Sequence, residues 1–127
     1  AVEAELIGYS QMPPLVETTS DIARLDLIVL GALERETLRG LLGYRRDADV
    51  VDIDRLAVNP ENFRSGIGRA LLEELHRRES DADRFEVSTG AANEPAIALY
   101  RAVGYRLKRQ EISRGVRLVH LERAGPQ

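Results

Sequence analysis

LAVNPENFRSGIGRALL, residues Leu56 to Leu72, runs from an apolar strand through a glycine-bearing loop straight into an amphipathic helix. A helix start leaves its first backbone N–H groups unpaired and carries partial positive charge, so this junction is suited to an anion. Gly66 and Gly68 would let a phosphate approach the backbone without a Cβ in the way, and Arg64, Ser65 and Arg69 add side-chain donors around it. A strand-to-helix turn with two glycines for packing has the same local pattern, so the rest of the chain must separate the two.

Working outward, Val50 to Val58 (VVDIDRLAV) is the strand that feeds the loop. Regular alternation puts Asp52, Asp54, Leu56 and Val58 on one face unless a bulge intervenes. After the loop, Ile67, Ala70, Leu71 and Leu75 form a helical stripe, with Glu73/Arg77 and Glu74/Arg78 at favourable i,i+4 spacing. Arg84 to Ser88 alternates as a short strand. Asn93 then caps a helix from Glu94 to Val103, which takes Pro95 in its first turn and ends at Gly104.

Tyr105 to Ile112 and Val116 to Leu121 form a hairpin around Ser113-Arg114-Gly115. On the other side of the loop, Leu27 to Leu33 is a buried strand, and Leu38 to Arg45 is its antiparallel partner, with Gly40 and Gly43 marking a bulge or a close backbone approach. Ala1 to Tyr9 has helix formers on one face and is expected to be a short helix, broken by Pro13-Pro14; Thr18 to Asp21 offers caps for a single helical turn. The order is helix, three meandering strands, helix, strand, helix and two strands: an α+β fold in one domain spanning residues 1–127.

At 127 residues and 43% hydrophobic, the chain can bury one core without staples. The absence of cysteine excludes disulfides, thiol nucleophiles and thiolate metal sites, and two histidines are too few for a His-rich centre, so no metal is expected. A net charge of −3 with mixed signs gives no basic stripe for nucleic acid, and no apolar run is long enough to span a bilayer. With no signal-peptide pattern, the expected location is cytoplasmic. His76 and His120 are read as a surface helix residue and a strand residue, because no carboxylate or nucleophile pairs with either in the sequence.

Two segments together resemble the GNAT superfamily of acyl-CoA-dependent N-acyltransferases. LAVNPENFRSGIGRALLEEL is similar to that family's V-x-P followed by [QR]-x-x-G-x-G and a helix, and NEPAIALYRAVGY, from Asn93 to Tyr105, is similar to its N-x-x-A-x-x-x-Y-x-x-x-G-[FY] segment. Their order and separation match as well. The family's Gln or Arg position falls on Phe63, so Arg64 inherits no role. The family usually has a strand and two helices before the element at Leu27, which implies a GNAT-like, mostly antiparallel sheet flanked by helices, with a shortened or missing N-terminal lead-in. The first strand is then expected to be absent or to lie upstream of Ala1.

What the resemblance implies for function is transfer of an acetyl group from acetyl-CoA to a primary amine of a small-molecule or peptide acceptor. The pyrophosphate would sit on the amides of Arg64, Ser65, Gly66, Ile67, Gly68 and Arg69. The pantetheine would lie between the strand of Leu56, Ala57 and Val58 and the Val87 strand, with an N–H near Leu56 polarising the carbonyl. Asn93 would contact the pantetheine or act only as a cap. Tyr100 would protonate the leaving thiolate, or be a core aromatic beside Ile97. Asp52 would be the base, or a solvated outer-face residue. An uncovered sheet edge would suit a homodimer. A catalytically silent acetyl-CoA-binding or interaction module is the alternative; a Rossmann site is disfavoured because Leu71 stands at the third glycine position, and a P-loop because no Gly-Lys-[Ser/Thr] follows.

Overall fold

The computed structural model describes residues 3–7, 27–59 and 66–125. In chain order the elements are β1 (Glu3–Ile7), β2 (Ile28–Glu34), β3 (Thr37–Asp47), β4 (Val50–Val58), α1 (Ile67–Arg78), β5 (Arg84–Gly90), α2 (Glu94–Ala102), β6 (Arg106–Ser113) and β7 (Val116–Ala124). They form a seven-stranded sheet in the order β1-β2-β3-β4-β5-β7-β6, antiparallel throughout except between β4 and β5.

The N-terminal expectation is corrected. Glu3–Ile7 is a strand, not a helix, and pairs antiparallel with β2 from Glu3↔Leu33 to Ile7↔Val29. The first strand is therefore neither absent nor upstream of Ala1; sheet pairing overrides the helix propensity of Glu, Ala and Leu. The Pro13-Pro14 break and the turn at Thr18 to Asp21 fall outside the described residues.

Tight turns join the meander. Glu34↔Thr37 closes on Arg35 and Glu36, with φ of 53° and 64°, and Ser113↔Val116 closes on Arg114 and Gly115, with φ of 52° and 80°. Positive φ at both central positions matches the right-handed strand twist. The core lies between the sheet and the two helices: Leu42, Tyr44, Val51 and Ile53 meet Leu71, Leu72 and Leu75 of α1, with Phe85, Tyr100 and Tyr105 beside them. Tyr44 donates to Glu79 at 2.9 Å and Arg46 donates to the same carboxylate at 3.0 Å, fixing the end of α1 over β3.

Two irregularities break the regular sheet. Tyr44 pairs with Ile53 but Gly43 pairs with Arg55, so β4 carries a bulge at Asp54. The bulge flips the alternation: Val51 and Ile53 face the helices and so do Leu56 and Val58, whereas Asp52 is exposed on the opposite face. Asp52 thus does not share a face with Leu56 and Val58, as unbroken alternation would require. The second irregularity is that the parallel pairing of β4 with β5 ends at Ile53↔Val87. Beyond that pair the two strands part.

Candidate active site

The parting of β4 and β5 is the centre of the site. Leu56, Ala57 and Val58 keep their β3 partners, but none pairs with β5, so one edge of this backbone faces a gap. The bulge at Asp54 lies at the head of the gap, where an extra residue leaves ladder groups unmatched. Such an edge offers amide and carbonyl groups to an extended ligand running along it.

At the far end of β4 the start of α1 approaches. Gly66 is its N-cap, with φ 85°, no side-chain capping bond and no acidic residue in the first turn. The positive end of the helix is therefore left uncompensated by its own residues. A Cβ on Gly66 would meet nothing within 4 Å, whereas one on Gly68 would stand 2.7 Å from Leu99 Cδ2. A side chain at position 68 would have to push Leu99 aside, so Gly68 serves close helix packing, and the open space that the sequence suggested for a phosphate lies at Gly66. Ile67 is buried at 1% exposure, so only its backbone is available to a ligand. Arg69 pairs with Glu73 at 3.1 Å. Arg64 and Ser65 lie outside the described residues.

Asn93 caps α2, accepting from the Ala96 N–H at 3.4 Å. Farther along the same helix, Tyr100 is 3% exposed, its ring 5.4 Å from that of Tyr105 in an edge-on contact. Burial pushes the Tyr100 phenol up to about 12. Among the described residues its hydroxyl has no hydrogen-bond partner, so its proton remains available to donate. Tyr105 is engaged instead with His76, whose Nε2 lies 2.8 Å from the Tyr105 hydroxyl. His76 also packs edge-on against Phe85, so it is not the surface residue expected from sequence. Burial, and then the nearby Arg123, hold it down to about 4.

The opposite face of the sheet carries a cavity of about 580 Å³, lined by Arg45, Asp52, Glu86, Ser88, Lys108 and His120 among others. Its cations are spoken for: Arg45 pairs with Asp54 at 3.8 Å, Arg84 with Glu86 at 3.1 Å, Lys108 with Glu122 at 3.2 Å and Arg109 with Glu111 at 3.6 Å. Asp52 makes no ion pair among the described residues. Desolvation raises its pKa, Arg45 opposes this, and the neighbouring Glu86 and Asp54 carboxylates add to the rise. Asp54 is held by Arg55 at 2.9 Å and by Arg45. Of the two acids, Asp54 is the one held by arginines among the described residues.

Sequence reasoning missed one group here. His120 is paired after all, with Ser88 through Nδ1 and with Glu111 through Nε2. The partners come from two other strands, and nothing in the local sequence of β7 announces them.

Among the described residues no helix is long and apolar enough to cross a membrane, and no group of His, Asp and Glu could hold a metal ion. Comparison with known proteins agrees with the geometry. The family model described as an acetyltransferase (GNAT) domain matches residues 23–107. The UPF0157 protein YqkA of Bacillus subtilis is 36% identical over 104 residues, 82% of this chain but 30% of that protein, so the chain spans less than a third of this relative's length. Among solved structures, the ribosomal-protein-S18-alanine N-acetyltransferase of Escherichia coli superposes with a TM-score of 0.87 at 16% identity, covering 100% of this chain and 96% of that one. The IAA acetyltransferase of Bacillus cereus gives 0.81 at 20% identity, covering 98% and 99%. A GNAT family acetyltransferase of Elizabethkingia anophelis with acetyl-CoA bound gives 0.80 at 14% identity, covering 97% of each chain. These matches, on a sheet that parts between β4 and β5 beside an uncapped helix start, place the chain in the GNAT acetyltransferase family.

Proposed function

We propose that this domain transfers an acetyl group from acetyl-CoA to a primary amine by direct attack of the amine on the thioester. The observation that carries the proposal is the end of β4–β5 pairing at Ile53↔Val87, with Tyr100 in the core on the helix face and Asp52 lining the cavity on the opposite face. A thioester held in the gap beyond that pair is reachable from both sides of the sheet. The amides of Gly66, Ile67, Gly68 and Arg69 would take the pyrophosphate, together with Arg64 and Ser65. The open edge of Leu56, Ala57 and Val58 would take the pantetheine, with Asn93 near it. Backbone groups at the bulge would face the carbonyl oxygen as charge develops there.

The acceptor enters from the cavity, where Asp52, without an ion-pair partner among the described residues, attracts an ammonium and takes its proton. A raised pKa makes Asp52 a better base than an ordinary carboxylate. As the C–S bond breaks, Tyr100 supplies a proton to the sulfur; burial pushes the phenol up to about 12, which keeps it protonated at neutral pH but makes it a weaker acid than an ordinary phenol. The E. coli neighbour is named as an alanine N-acetyltransferase, which supports an amine as the acceptor class. The test is calorimetry with CoA, followed by thiol release from acetyl-CoA against a panel of small amines and peptides. Binding with amine-dependent release is expected. A folded chain that binds no CoA overturns the proposal, and one that binds CoA without turnover on any amine is a silent binding module.

A further inference from the structure

We propose that Ser88, His120 and Glu111 form a second reactive centre, which takes an acyl group from an acyl thioester onto Ser88 and passes it to water. The inference rests on the acyl-CoA reading above and adds to it an amine-independent hydrolysis.

Three adjacent strands supply the three residues. In the β5–β7 register Ser88 stands opposite His120, and its Oγ lies 2.5 Å from His120 Nδ1. The other ring nitrogen, Nε2, contacts the Glu111 carboxylate on β6. That reach depends on a break in register between Leu107 and Arg109, which brings Arg109 opposite His120 and leaves Lys108 unpaired in the ladder. With the Nε2 proton given to a carboxylate, the Nδ1 lone pair faces the serine hydroxyl. Nucleophile, base and orienting carboxylate stand in line, the arrangement that activates a serine on unrelated folds.

Position gives the arrangement a substrate. Val87 is the last β5 residue paired with β4, and Ser88 is the next residue, on the cavity face with His120 and Asp52. Adjacent strands lie about 4.8 Å apart and residues step about 3.4 Å along a strand, so a thioester in the gap lies within about one residue's step of Ser88. His120 is itself well covered, its side chain 17% exposed.

The steps balance. Ser88 Oγ bonds to the acyl carbon, its proton passes to His120 Nδ1, the C–S bond breaks and the thiolate leaves with that proton. Water then bonds to the acyl carbon and gives a proton to Nδ1. The C–Oγ bond breaks, Ser88 recovers its proton, and a carboxylic acid is released. Glu111 holds the Nε2 tautomer throughout.

The experiment incubates the whole chain with acetyl-CoA in the absence of amine, reading thiol release and mapping acetylated peptides after acid quench. Thiol release above buffer and an acetyl group on Ser88 are expected, with Ser88→Ala and His120→Gln each lowering release by about 10²-fold or more. Ser88→Cys should still take up the acetyl group. Each variant is checked for CoA affinity by calorimetry. Wild-type release in Ser88→Ala, or no release from a chain that binds CoA and acetylates an amine, overturns the proposal. If the chain binds no CoA, the acyl-CoA reading fails by itself, and hydrolysis of p-nitrophenyl acetate decides the serine centre: loss in Ser88→Ala and His120→Gln supports it, and no difference overturns it.

Discussion

Gly68 of α1 and Leu99 of α2 approach so closely that a Cβ on the glycine would stand 2.7 Å from Leu99 Cδ2. This contact sets the helix whose uncapped start is proposed to take the pyrophosphate against the helix that carries Tyr100. Gly68→Val should destabilise the fold by about 1–3 kcal/mol through overpacking, and Leu99→Ala in the same chain should recover part of that loss. Thermal unfolding of the two single variants and the double variant checks this. Independent, additive losses would show that the contact does not govern how the helices seat.

Tyr100→Phe removes a hydroxyl that has no protein partner among the described residues, so the fold and the CoA affinity should survive. If the phenol protonates the leaving thiolate, kcat should fall by roughly 10²-fold with little change in CoA binding. Single-turnover rates together with calorimetry separate the two effects.

The acid limb of kcat/KM should follow Asp52, which acts only when deprotonated. Because desolvation raises its pKa, activity should be lost as pH falls through a value above the ordinary carboxylate range, and Asp52→Asn should remove the limb. Glu86→Gln removes a charge that raises this pKa and should shift the limb to lower pH. Arg45→Ala removes one that lowers it and should shift the limb upward. A limb that ignores all three substitutions would assign the proton to another group.

His76 should make the fold acid-sensitive in a defined window. Its folded-state pKa of about 4 lies below the ordinary value of 6.5, so its contribution is present above about pH 6.5 and is lost as pH falls toward 4. The loss should be about 2 kcal/mol, less than the full shift implies, because the ring is partly solvated. Denaturant unfolding across this range, with His76→Gln as the flat control, measures it.

The strands and helices from Leu27 onward were legible because each carries its own punctuation: Asn93 and Pro95 start α2, Gly104 ends it, and Arg114-Gly115 turns β6 into β7. The strand ending at Val58 and the helix beginning at Ile67 were legible for the same reason, being local patterns. What was hidden depends on pairing between distant segments. Glu3–Ile7 is a strand because β2 offers an edge, not because its residues prefer one. The bulge at Asp54 is invisible in VVDIDRLAV, whose alternation reads smoothly through it, yet it decides that Asp52 and Leu56 point to opposite faces. His120 gains its partners only through the registers of β5, β6 and β7, which no single stretch encodes.

The early end of the β4–β5 pairing also has a mechanical consequence. Among the described residues, the four register pairs Val50↔Arg84 to Ile53↔Val87 are the ladder that joins the β1–β4 leaf to the β5–β7–β6 leaf. The sheet is a hinged book with a short spine, and an occupant of the gap would act as its bookmark. Amide hydrogens of that spine should exchange faster than those of the β3–β4 ladder in the empty protein, and slow down once CoA bridges the leaves.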